Sequence, residues 1–322
     1  MRYNTIPGTD ITVSQIGLGG HAFLADGRVK AMGEDPRSKI PGEIFPGFGG
    51  TDRKETLRTA YEAGINFFDF TIDSEKEAGG RNFKELPPPG EFYVQTRPEG
   101  LVYNNIPEDT GKLGLLDYDT LKAEAERGCK LLGRERIGFY NFGLFAPAVK
   151  KHPGYVARAA QNIEQLKKDG LIKYACVDTL SGREVSLEMI ATGVFNGVFS
   201  DLSLVSDALP AEIAPAARKQ GMAIFTRETF NKANLFKLGE QAGITDRPAL
   251  ARALLKWALA QGIADVVVLG VANADLLRQN LETAENPELT DEDRGLLDTL
   301  QDNPEFRAFR EKRRAFFNQG MA

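Results

Sequence analysis

LRTAYEAGINFFDFTIDSEKEAGG, residues 57–80, is the stretch whose reading decides the fold. Leu57, Ala60, Tyr61 and Gly64 recur at helical spacing, which predicts a helix with one apolar face. Gly64 stands where a helix takes a left-handed stop. Ile65, Phe67 and Phe68 then form a short apolar run, which predicts a strand buried on both faces. Asp69 closes that run. A carboxylate there marks the carboxyl end of a parallel strand, the place where α/β proteins bind ligands. Ser74 and Glu75 open a second helix that carries Arg81 and Phe83.

Working outward toward the amino end, Thr51 or Asp52 is the expected cap of the first helix. Residues 22–50 form a long segment of Gly, Pro and charge, the kind of loop that is functional or mobile. Residues 15–19 read as a strand ending in Gly19-Gly20-His21. Residues 1–14 read as two short strands around the turn signal Pro7-Gly8-Thr9-Asp10.

Toward the carboxyl end the pattern repeats. Strands are expected over residues 91–96, 137–142, 172–177, 195–199, 222–226 and 265–269. Helices are expected over 120–132, 155–169, 186–192, 211–220, 248–261 and 274–285, several of them stopped by glycine. Residues 99–117 form a second long loop. Strand and helix alternate eight times with no linker, which predicts a single domain spanning 1–322: a (β/α)8 TIM barrel with an N-terminal β-hairpin. Residues 290–317 add two C-terminal helices. Phe306, Phe309, Arg313 and Phe316 fall on one face of the last one, which is expected to pack on the barrel.

Composition narrows the function classes. The chain has 322 residues and a formal net charge of −5, with no basic footprint for nucleic acid. No apolar run is long enough for a membrane span and no signal peptide is visible. Two cysteines, Cys129 and Cys176, read as reduced core residues of a cytoplasmic protein. With only two histidines, His21 and His152, no histidine-rich metal site is expected. The partner indicated is a small-molecule substrate; the sequence carries no signal for an oligomeric state.

Four stretches together resemble the aldo-keto reductase family: VSQIGLGG at 13–20, AYEAGINFFD at 60–69, SEKEAGGRNF at 74–83 and ALLKWALAQGIADVVVLGVANADLLRQNL at 253–281. The last is the most specific, because strand, loop, helix and Asn280 fall in family order. The resemblance implies the eight-stranded barrel and a nicotinamide cofactor, NAD(P)H, lying across the carboxyl ends of the strands. It implies reduction of a carbonyl by hydride, with a tyrosine as proton donor supported by a lysine, an aspartate and a histidine.

Carried over residue by residue, that tetrad is mostly replaced. Asp69 matches the aspartate. The tyrosine expected in DTAxxYG is missing from Asp69-Phe70-Thr71-Ile72-Asp73-Ser74-Glu75. Arg97 stands for the lysine, and Gly143 for the histidine. Arginine keeps the charge but does not release a proton near neutral pH, and glycine offers no side chain. A substitute donor would come from His21 after the first barrel strand, or from Tyr103 after the third; each also has a plain structural reading, Tyr103 as a loop surface residue. The catalytic candidates are thus Asp69, Arg97 and His21.

The resemblance also maps cofactor positions. The Ser-Asn pair that holds the carboxamide becomes Asp178-Thr179, the glutamine beside it becomes Ser200, and the aromatic that stacks on the nicotinamide becomes Arg227. The phosphate end is retained as Gly270-Val271-Ala272-Asn273 leading into a helix, an arrangement whose backbone N–H groups suit phosphate, with Asn280 further along. The same residues also read as an ordinary strand-to-helix turn.

Two functions follow from these residues. One is a nicotinamide-dependent oxidoreductase of aldo-keto reductase type, with a rebuilt proton-transfer site, acting on a polar carbonyl or sugar-like substrate. The other is a non-redox sugar-active enzyme, an isomerase or lyase using His21, Asp69, Asp73, Asp178, Glu228 and the two arginines, with a divalent ion on oxygen ligands as an option. A catalytically silent binding barrel is the third reading, since this fold hosts many chemistries.

Overall fold

The structure, a computed structural model, describes residues 1–20, 40–98, 101, 114–206 and 209–320. Two antiparallel strands, β1 (Tyr3–Thr5) and β2 (Thr12–Ser14), form the opening hairpin. Eight parallel strands follow: β3 (Ile16–Gly19), β4 (Phe67–Asp69), β5 (Tyr93–Thr96), β6 (Ile137–Phe142), β7 (Ile172–Asp178), β8 (Gly197–Asp201), β9 (Ala223–Arg227) and β10 (Val266–Leu269). They run in chain order round a closed barrel, and β10 pairs back with β3. The eightfold alternation read from the sequence is therefore the observed topology.

The helices are α1 (Thr51–Glu62), α2 (Asp73–Glu85), α3 (Tyr118–Leu132), α4 (Ala146–Lys151), α5 (Tyr155–Lys168), α6 (Arg183–Ala191), α7 (Ala214–Lys219), α8 (Asn234–Gln241), α9 (Arg247–Ala260), α10 (Ala274–Glu285), α11 (Asp291–Asp302) and α12 (Pro304–Gln319). None of the described helices is long and apolar enough to cross a membrane. Gly64, Gly133 and Gly170 follow α1, α3 and α5 with positive φ, the left-handed stops expected of them. Three readings need correction. Helix α1 is capped by Gly50 with no side-chain bond, so Thr51 and Asp52 lie inside its first turn. Helices α4 and α8 were not anticipated. Helix α8 follows Ala233, a left-handed cap with no side-chain bond, so the usual start signal is missing.

Strand alternation sorts the side chains. Phe67, Phe139, Phe199 and Phe225 point into the barrel, where Phe67 and Phe225 stack at 5.1 Å. Ile6, Ile11 and Val13 of the hairpin join the same cluster and close the amino end. Phe68, Val94, Val177, Val198 and Ile224, one residue out of step, face the helices instead. Parallel register then lines up the inward positions: Phe67 is level with Tyr93, and Asp69 with Gln95. Above the phenylalanines the inward side chains turn polar.

Two glycines in α2 explain why the central stretch ends as it does. A Cβ on Gly79 would stand 2.6 Å from the Phe70 ring, and one on Gly80 would stand 2.2 Å from the Leu131 carbonyl oxygen of α3. Mid-helix glycine costs about 1 kcal/mol relative to alanine. Here the cost is offset by close packing against Phe70 and α3.

The C-terminal helices dock through charge as well as apolar contact. Asp293 accepts from Lys256 at 2.8 Å and from Arg252 at 2.8 Å, and it completes a capping box with Thr290. Phe306 of α12 is buried with Leu297, Leu300 and Leu254, and Phe309 packs beside them. The apolar face of the last helix does pack against the body of the barrel.

Candidate functional site

The polar layer at the carboxyl ends of the strands is built from one inward residue after another. Asp69 ends β4, and Arg97 follows β5 on the neighbouring strand. Arg97 Nη2 donates to Asp69 Oδ1 at 2.6 Å, and both residues are buried. Asn141 of β6 lies two residues beyond Phe139, which pairs with Gln95. Its Nδ2 donates to Asp178 Oδ2 at 2.8 Å.

Asp178, the last residue of β7, is the hub of the opposite wall. Arg227 Nη1 and Nη2, from the end of β9, grip its two oxygens at 2.9 and 2.7 Å. The third nitrogen, Arg227 Nε, donates to Asp201 Oδ1 at 2.8 Å. This planar, two-point arrangement is the strongest form of arginine–carboxylate contact. Burial would push the Asp178 carboxyl up, but Arg227, with Arg97 adding to it, holds it below the usual carboxylate range. Phe199 lies beneath both cations, 5.2 Å from Arg97 Cζ and 4.5 Å from Arg227 Cζ.

Gln95 adds something that sequence reading missed. Both its amide atoms, and Asn141 Oδ1, are buried without a hydrogen-bond partner. Their signal was present as inward parity on strands β5 and β6, but register was needed to read it. Arg53 was also missed. It reaches from α1 to donate to the Gly19 carbonyl at 2.6 Å, and burial lowers its pKa to about 10.

Other candidates fall elsewhere. Ser200 is out of step with Phe199 and bonds to Thr179 Oγ1 at 3.0 Å, away from the barrel axis. Asp73 begins α2 and accepts from Gly42 N, Lys76 Nζ and Arg127 Nε. It ties α2 to α3 and to the segment before α1. Glu228 opens a loop after β9 in which Glu228, Asn231, Lys232 and Ala233 all have positive φ, a strained run at the mouth. His21 and Tyr103 lie outside the described residues. Among the described residues no group of three or more His, Cys, Asp or Glu could hold a metal ion.

The phosphate-end residues follow β10. Gly270 is exposed, and the space where a Cβ would stand is open. Val271 is buried. Asn273 caps α10 by accepting from Leu276 N at 3.0 Å. Asp275, in the first turn, is paired with Arg278 at 2.7 Å. Asn280 is half-buried on the same helix.

No protein-family model matches the chain, and no curated protein matches it. Among solved structures it is similar to aldo-keto reductase AKR11C1 from Bacillus halodurans, determined in a holo form. The two are 19% identical, the match covers 93% of this chain and 96% of that one, and the TM-score is 0.65. At that identity the likeness is one of fold: an eight-stranded parallel barrel of the kind aldo-keto reductases use.

Proposed function

We propose that the chain is a divergent oxidoreductase of aldo-keto reductase type, acting with NAD(P)H on a polar carbonyl compound in the cytoplasm. The observation that carries the reading is the Arg97–Asp69 pair. It joins the two strand ends at which the family resemblance sets its lysine and aspartate.

The two ends of a dinucleotide fare differently against these residues. At the phosphate end, open Gly270, Val271 and the capped helix start at Asn273 suit a phosphate, and Asn280 would lie further along the nucleotide. At the ring end, Asp178 is already committed to Arg227, so a carboxamide would compete with that pair.

The cofactor, when bound, supplies the hydride. Arg97 supplies a fixed cation for the oxyanion that develops on the carbonyl oxygen, and Asp69 orients it. Neither releases a proton readily, so His21 is assigned to proton transfer. Arg227 and Asp178 form the polar wall that holds substrate hydroxyls or carboxylate.

The test is titration of the purified protein with NADH and NADPH, read by nucleotide fluorescence. Saturable quenching or a spectral shift supports this reading. Absence of binding to both would overturn it in favour of non-redox chemistry on a sugar-like substrate. The commitment of Asp178 to Arg227 is the observation on the side of that second reading.

A further inference from the structure

The chain of ion pairs at the mouth does not stop at Asp201. The second oxygen of that carboxylate, Oδ2, accepts from Arg313 Nη2 of the last helix at 2.5 Å. Arg313 Nε also donates to Ser206 Oγ at 3.3 Å. A continuous ladder therefore runs Asn141–Asp178–Arg227–Asp201–Arg313, one residue from each of β6, β7, β9, β8 and α12. Side-chain exposure falls along it, from 25% at Arg313 to 14% at Asp201, 12% at Arg227 and 3% at Asp178. The ladder starts at the surface and ends inside the barrel.

Its charges alternate, and that alternation gives Arg313 a task. Asp178 and Asp201 together exceed Arg227 by one negative charge, and Arg313 removes the excess. Without it, Asp201 and the buried Asp178 would share Arg227 as the cation bonded to both. Asp201 also divides its two oxygens between the arginines, so its orientation depends on both. All three kinds of guanidinium nitrogen of Arg227 are then committed, which holds the group flat over Phe199.

A second contact fixes the same helix to the same wall. Gly320, just past α12, abuts the turn that follows β7. A Cβ on Gly320 would stand 2.4 Å from the Ser181 carbonyl oxygen, and one on Gly182 would stand 2.7 Å from Gly320 N. That turn is tied to Asp178, whose Oδ1 accepts from Leu180 N at 3.0 Å and whose carbonyl accepts from Ser181 Oγ at 2.8 Å. A cavity of about 30 Å³ remains between α12 and the strand ends, lined by Thr179, Ser200, Asp201, Ser206, Arg313 and Phe316 among others. That is space for water rather than for a ligand.

We infer that Arg313 is a positioning residue of the mouth: acting through Asp201, it sets the orientation of Arg227 on Asp178, and α12 completes the site. The inference rests on the reading that this mouth is where ligand binds. It does not depend on which ligand that is.

The experiment compares wild-type protein with Arg313→Met, which keeps the apolar stem, and Arg313→Lys, which restores the charge. Hydrogen exchange of Arg227 Nε–H is followed by NMR on full-length protein labelled with ¹⁵N-arginine. In Arg313→Met that exchange should speed up at least about tenfold with circular dichroism unchanged, and Arg313→Lys should return it to within about threefold of wild type. Unchanged exchange at Arg227 in folded Arg313→Met overturns the inference. Should that variant fail to fold, the double variant Asp201→Asn/Arg313→Met decides, because asparagine needs no countercharge. It should fold with Arg227 Nε–H exchanging faster than in wild type, and failure to fold or wild-type protection of Arg227 in it overturns the inference. NADH titration of the same proteins runs alongside, with weaker binding expected in Arg313→Met. If wild-type protein binds no nucleotide, the oxidoreductase reading falls and the exchange result still decides the role of Arg313.

Discussion

Arg97, the residue after β5, donates to Asp69, the last residue of β4, across 2.6 Å inside the barrel mouth. The two are 28 residues apart in sequence and on adjacent strands in space. Their closeness follows from parallel pairing, which sets Asp69 level with Gln95, two residues before Arg97.

Replacing Arg97 by methionine tests what the pair is for. We expect turnover per folded molecule to fall by about 10²-fold or more, as when a donor to a developing oxyanion is removed. Stability should fall as well, by about 3 kcal/mol, since Asp69 is left buried without this cation. Steady-state kinetics normalised to folded protein, with thermal melting, separates the two effects. Unchanged turnover in the folded fraction would leave the pair a structural role only.

Ordinary aldehyde reduction should be weak or absent. The segment from Asp69 to Glu75 holds no tyrosine, and its Ser74 hydroxyl is engaged with Phe45 N and the Glu43 carbonyl. Gly143 offers no hydrogen bond from a side chain. Assay of NADPH-dependent reduction of a simple aromatic aldehyde checks this. Robust turnover would mean that another acid serves, and His21 and Tyr103 are then the residues to substitute first.

Asp293 gives a pH prediction. Burial would raise its carboxyl, but bonds from Lys256, Thr290 and Arg252 hold it far below the usual carboxylate range. A depressed folded-state pKa gives stability that is present above the unfolded value, about 3.9, and lost as pH falls through the folded one. Asp293→Asn should cost about 3 kcal/mol at pH 7, because Lys256 is left buried without its partner. The variant should also lose less stability than wild type between about pH 4 and pH 2. Urea melts across that range measure both, and parallel curves would contradict the assignment.

Gly80→Ala should destabilise the fold. The added methyl would meet the backbone of α3, which cannot rotate away as a side chain could. Overpacking of this kind costs about 1–3 kcal/mol. A melting temperature equal to wild type would show that α2 and α3 separate freely.

Gln95→Leu should be neutral or stabilising, by up to about 1 kcal/mol, since it removes two buried amide atoms that have no partner. Chemical denaturation reads the change. A loss above about 1 kcal/mol would mean that the amide is partnered in the working protein.

Periodicity, glycine stops and a carboxylate after an apolar run are local signals, so the sequence alone determined the barrel, the boundaries of β6 and α10, and Asp69 at a strand end. Arg97 stands two residues past the position level with Asp69, and strand register is what brings the two together. Asp73 shows where local reasoning fails: it lies four residues from Asp69, yet the chain has left the barrel and begun α2, so its carboxylate meets Lys76 and Arg127 instead. The partners of Asp178 could not be read either. Arg227 is 49 residues away, and the ladder extends through Asp201 to Arg313, which lies 112 residues beyond Asp201. Hydrophobic period fixes which face of an element is buried. Which charges meet depends on strand register, on where the last helix docks and on how far each side chain reaches, and only the tertiary structure decides those together.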